Sequence, residues 1–203
     1  MTPSLILFFS LAALLELDTT YAFQLMLSRG IVAGPLLSLL TGDLAAGIQV
    51  GVFTELLFSD INPLGSVLPP SATVCCAISL ALNVLGVPLY FAFVAGVLGA
   101  WLFSYAEKGM RKIRVRRVVF WEQRIMQHPS EIIYVVLGSL GTSFAVNFLL
   151  ISGVVLLFSK ILVPFVPAIP LRAHMACQFA YIAVPWIGLA TLIPQFKWRK
   201  GGR

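Results

Sequence analysis

The sequence predicts an all-α integral membrane protein, built of transmembrane helices plus a re-entrant helical hairpin over about residues 30–58. Three observations carry that expectation. Charged residues make up 11% of 203 and mean hydropathy is +0.95, whereas soluble domains carry about 25% charged residues. Uncharged runs exceed the ~18 residues expected of a spanning segment, which excludes a large soluble core. Basic residues are clustered: seven of the fourteen lie between Lys108 and Arg124, and four more follow Phe196. Cytoplasmic loops of membrane proteins show this distribution under the positive-inside rule. The net charge of +6 is therefore no sign of nucleic acid, and residues 1–203 are expected to form one membrane domain.

Taken in order, residues 3–27 predict a first membrane helix with Glu16, Asp18 and Gln24 in its second half. A signal peptide does not fit, since no Lys or Arg precedes the apolar run and two acids follow it directly. For Glu16 a place at the water interface competes with a place in a site. Asp18, Gln24 and Ser28 are spaced six and four apart and need not share one face.

The hairpin follows. Residues 31–40 and 44–54 are apolar but too short to span, since a crossing helix needs about 20 residues. Gly34-Pro35 and Gly42-Asp43 are breakers, because Gly accepts positive φ and Pro cannot donate to a helical ladder. Gly47 and Gly51 share a helical face and predict close helix packing. Arg29, Asp43, Glu55 and Asp60 are ionisable groups in an apolar setting, where such groups are expensive and are functional candidates by default. Asp60-Ile61-Asn62-Pro63 ends the region.

Residues 72–106 carry no charge, and the turn at 83–88 divides them into a short helix and a fuller one over 89–105. The basic stretch after it predicts a solvated cytoplasmic loop, anchored by Trp101 and Trp121 and attracted to anionic lipid or an acidic partner. Residues 132–159 form an uncharged span in which Gly138 and Gly141 suggest helix contact. Prolines 164, 167 and 170 predict a connecting turn over 160–172 on the opposite side. Residues 173–196 form the last span, interrupted by Pro185. Two spans separate the basic clusters, so both clusters face the same side. Cys75, Cys76 and Cys177 sit in apolar runs as small hydrophobes, with no metal spacing and no unstrained pairing.

The stretch SRGIVAGPLLSLLTGDLAAGIQVGVFTELLF, followed by NPLGSVLPP, resembles the signature region of the membrane IIC subunit of mannose/fructose/sorbose-class sugar phosphotransferase systems. The similarity is specific over residues 24–82 and rests on hydropathy alone from Gly86 onward. Two positions depart from the usual pattern: Gly30 stands where the family usually has Pro, and Ser71 where Asp is common. Family members usually continue through further membrane segments, so the resemblance implies a domain shortened at its C-terminus.

A hexose offers only hydroxyls, each donor and acceptor, so a site at membrane depth must present carboxylates, amides and hydroxyls. Asp18, Gln24, Ser28, Arg29, Asp43, Glu55, Asp60 and Asn62 supply these in one region and are the expected substrate-binding set. No P-loop, G-x-S-x-G, HExxH or paired CxxC occurs. His128 and His174 are expected to be ordinary interfacial histidines. No catalytic residue, metal or cofactor is expected.

The resemblance implies a sugar-translocating subunit of the cytoplasmic (inner) membrane. It would work with a homologous IID membrane subunit and a phosphorylated soluble IIB charged by IIA, in a complex holding more than one copy of the chain. Two other classes fit the residues alone. One is an ion-coupled carrier of another small solute, in which Asp43 and Glu55 titrate. The other is a non-transporting scaffold or regulatory subunit.

Overall fold

In a computed structural model, residues 3–19, 24–59, 61, 68–127 and 132–196 are described, and every regular element among them is helical. The elements are α1 (Pro3–Leu17), α2 (Gly30–Thr41), α3 (Leu44–Phe58), α4 (Ala72–Val84), α5 (Leu89–Gln127), α6 (Ile132–Phe165) and α7 (Leu171–Phe196). Among the described residues three stretches are long and apolar enough to cross a membrane: Leu89–Arg116, Ile132–Ala168 and Leu171–Ile193. The other four helices have 12 to 15 residues, or about 18–22 Å at 1.5 Å per residue. None of those four reaches across ~30 Å of hydrocarbon.

The predicted hairpin is α2 and α3. Gly42 closes α2 at φ 80°, and its N–H donates to the Ser38 carbonyl at 2.9 Å. Asp43 then caps α3, accepting from the Ala46 N–H at 3.0 Å. The arms are pressed together glycine on glycine. A Cβ on Gly30 would lie 2.8 Å from the Gly51 carbonyl oxygen, and one on Gly34 would lie 2.8 Å from the Gly51 Cα. A Cβ on Gly47 would meet the Gly34 carbonyl oxygen at 2.8 Å. Gly47 and Gly51 therefore serve helix packing, as their spacing suggests.

Helix α4 is the hub. All ten residues from Thr73 to Leu82 are buried, as expected of a helix that is apolar all round. Helices α1, α2, α3, α5 and α6 all pack on it. Its closest neighbour is α5, where a Cβ on Gly96 would sit 2.7 Å from the Cys75 carbonyl. Helix α6 crosses α1 through Phe9 and Phe148, with ring centroids 6.3 Å apart. Helix α7 lies against α3, where Tyr181 meets Phe53 at 4.8 Å and Gly188 sits on Leu56.

Several expectations change. The first helix ends at Leu17 rather than near residue 27, because the chain reverses there around Asp18. The basic stretch is not a loop: α5 continues as one helix of 39 residues to Gln127. Lys, Arg, Glu, Gln and Met are good helix formers, and no Pro intervenes. Gly138 and Gly141 have nothing within 4 Å, so the chain makes no helix contact there. The connection before α7 is also shorter than expected, since α6 runs to Phe165 and one 3-10 turn, Val166–Ala168, follows.

The glycine contacts predict a sharp asymmetry. Gly34→Ala should lower the stability of the detergent-solubilised protein by about 1–3 kcal/mol, the usual cost of overpacking. Gly109→Ala, which has open space around it, should be neutral or stabilise by up to about 1 kcal/mol as a helix-interior replacement. Thermal unfolding of both variants measures the difference.

Candidate functional site

Polar side chains gather where α1 and α3 end and α2 and α4 begin. Asp18, one residue past α1, is buried. Its Oδ1 accepts from the Leu25 N–H at 2.8 Å and its Oδ2 from the Leu27 N–H at 2.7 Å. The loop those bonds hold leads into Ser28 and Arg29. The Ser28 carbonyl accepts from the Thr73 hydroxyl at 2.9 Å, which ties the loop to α4.

Glu55, on the last turn of α3, reaches back to the start of α2. Its Oε2 accepts from the Gly30 N–H at 2.9 Å, and its Oε1 pairs with Arg29 Nη1 at 3.2 Å. The first turn of a helix leaves N–H groups without intrahelical partners, and a carboxylate there also suits the helix dipole. Arg29 itself offers α2 no side-chain cap, so Glu55 caps the helix from the opposite arm.

A second buried acid completes the joint. Glu16 is 6% exposed, and its Oε2 accepts from the Ser71 hydroxyl at 2.6 Å. Ser71 in turn caps α4, accepting from the Val74 N–H at 3.3 Å. The same hydroxyl thus donates to α1 and accepts from α4. Beneath it lies a buried layer of Thr54, Cys75 and Cys76, with Thr54 Oγ1 3.5 Å from Cys75 Sγ. Farther along α5, the mostly buried Glu107 accepts from Arg111 and Arg114, each at 3.3 Å.

Of the expected set the structure pairs Arg29 with Glu55 and ties Asp18 to the loop that runs from Gln24 into Ser28 and Arg29. Gln24 is exposed and holds a left-handed backbone at φ 50°. Asp43 is not with them. It caps α3 at the far end of the hairpin, and Glu55 lies near the other end of the same 15-residue helix, about 18 Å away at 1.5 Å per residue. Asp60 and Asn62 lie outside the described residues. Sequence reasoning missed Ser71 and Thr73, and it left Glu16 between two places. One signal was available for Ser71, since a Ser directly after two prolines and before an apolar run is an N-cap pattern.

His174 is bonded, its Nδ1 lying 2.9 Å from the Tyr90 hydroxyl. His128 falls outside the described residues.

The model of the sorbose-specific IIC component of sugar phosphotransferase systems matches residues 3–200. The chain belongs to this family. As a IIC component it is a sugar-transporting membrane subunit. A solved structure titled "Structure of membrane protein" has the same fold, with a TM-score of 0.66 at 18% identity. The match covers 98% of this chain and 81% of that one. No curated protein matches the sequence.

The IIC joint yields a stability prediction. Ser71→Ala leaves the buried Glu16 carboxylate and the Val74 N–H each short of a partner, which should cost about 1–3 kcal/mol. Glu16→Gln keeps an acceptor for Ser71 and should cost less. Chemical denaturation of the purified protein in detergent, ranking the two variants, checks the order.

Proposed function

We propose that this IIC subunit carries a hexose across the cytoplasmic membrane to a phosphorylated IIB, which phosphorylates the sugar as it emerges. The observation that supports this best is the family match over nearly the whole chain. The polar joint adds residues able to meet a sugar hydroxyl beside a hairpin that cannot span alone. Broken helices whose ends aim polar groups at a site within the membrane recur in transporters.

In this reading residues 1–203 act as one membrane domain that supplies part of the sugar site and the path. Phosphate travels on the soluble IIA and IIB subunits and on no residue of this chain. Arg29, Glu55, Gln24 and Ser28 face the sugar from the joint, with Asp60 and Asn62 following α3. Asp43 shapes the hairpin turn. Both basic clusters face the cytoplasm, and residues 108–127 of α5 extend toward anionic lipid and the soluble partners. No nucleic acid is involved.

Glu55 gives the direct test. Glu55→Gln retains one acceptor but loses the charge opposite Arg29. Uptake of the transported hexose should fall at least about tenfold, the effect of ~1.4 kcal/mol. Wild-type uptake by a variant present in the membrane at normal level would remove Glu55 from the site.

The same reading requires a IID-type membrane partner, and more than one copy of each subunit. The motivation is exposure. Of the most apolar stretch of α7 only 11% is buried, and of that of α6 only 22%. Lipid covers part of that surface, and close-packing positions such as Gly138 and Gly141 await a helix. Purified alone, the chain should unfold more readily in detergent than together with its partner subunits and should bind no hexose. A stable, sugar-binding monomer would overturn the requirement.

A further inference from the structure

Two non-glycine residues among those described have positive φ: Gln24 at 50° and Met26 at 62°. L residues rarely hold this conformation, and bulky ones only under constraint. Packing does not supply the constraint, because Gln24, Leu25 and Met26 are all exposed. The two residues alternate with Leu25 and Leu27, and those are the residues whose N–H groups point at Asp18. Successive N–H groups turned toward one anion form a concave nest. Here the anion belongs to the chain itself.

We infer that Asp18 is a positioning residue. Its carboxylate holds residues 24–27 in the backbone that leaves Gln24 on the surface and delivers Ser28 and Arg29 to the joint, and it does not touch sugar itself. Both of its oxygens are engaged at 2.7 and 2.8 Å and the residue is 6% exposed, so a ligand hydroxyl has little access to it. The loop it shapes runs straight into the Ser28 carbonyl held by Thr73 and the Arg29 side chain held by Glu55. A change at residue 18 therefore reaches the sugar only through the placement of residues 24–29. The inference deepens the transport reading and rests on it for the sugar side alone.

The test uses the full chain in membranes with its partner subunits, and three variants. Asp18→Asn retains one acceptor and turns an N–H₂ toward the second backbone N–H. Met26→Gly accepts positive φ without cost. The third variant combines them. With Asp18→Asn, hydrogen–deuterium exchange at the Leu25 and Leu27 amides should be about tenfold faster, and the KM for sugar uptake should rise by a similar factor. Met26→Gly alone should leave KM within about twofold, and in the double variant it should recover most of the lost KM.

Unchanged exchange in Asp18→Asn overturns the inference whatever uptake does. Faster exchange with an unchanged KM shows that the loop does not serve the sugar site, and overturns that link separately. Failure of Met26→Gly to recover KM while exchange slows would mean that Asp18 meets sugar directly, which also overturns it. Should Asp18→Asn not accumulate, Met26→Val on the native Asp18 background supplies the check. A β-branched residue resists positive φ, so KM should rise by about tenfold, and a wild-type KM would overturn the proposal.

Discussion

Short helices that end inside a membrane layer must find partners for their terminal N–H and C=O groups within the protein. Water is absent there, and each unsatisfied group costs several kcal/mol. Among the described residues four helices are too short to cross such a layer, having 12 to 15 residues. The chain answers it with side chains at the helix ends. Glu55 takes the Gly30 N–H, Asp43 the Ala46 N–H and Ser71 the Val74 N–H. Asp18 takes two N–H groups of the returning loop, and Thr73 gives its hydroxyl to the Ser28 carbonyl. Much of the polarity placed in this apolar region serves the backbone.

That constraint explains the glycines as well. A helix pair too short to span is stable only when its arms bury one another, and the closest burial is backbone against backbone. Gly30, Gly34, Gly47 and Gly51 permit it, each leaving too little room for a Cβ. The same approach brings Glu55 within reach of the start of α2. Bulk between the arms would thus also move the carboxylate off the Gly30 N–H. Packing and capping are two results of one short distance.

The hairpin was legible in the sequence because its signals are local. Two short apolar runs, a Gly-Asp turn and glycines four apart fix α2, the turn and α3 without knowledge of the rest. The family was legible for the same reason, through one contiguous stretch. What stayed hidden depends on contacts between distant segments. That Asp18 bends the chain back, instead of riding on a longer first helix, follows from bonds to residues seven and nine positions on. That Ser71 engages Glu16 is a contact across 55 residues. The continuation of α5 through its basic stretch misled for another reason: charge density marks the side of the membrane but says nothing of whether the backbone stays helical.

The distribution of bonds also divides the molecule mechanically. The two contacts of Glu55 both lie within the hairpin, joining α3 to the start of α2. They brace the hairpin as a unit and do not fasten it to its surroundings. Beside the apolar packing of α2 and α3 on α4, polar attachment to α1 and α4 comes through the loop held by Asp18, the Thr73–Ser28 bond and the thiol–hydroxyl contacts of Thr54, Cys75 and Cys76. Thiol contacts at 3.5–3.9 Å are weak and adaptable. A displacement of the hairpin against α4 that kept Arg29 on Glu55 would have to change the loop from residue 24 to 29. Among the described residues that loop is the one place with non-glycine residues in left-handed backbone, so the attachment such a displacement would change is also one kept under strain.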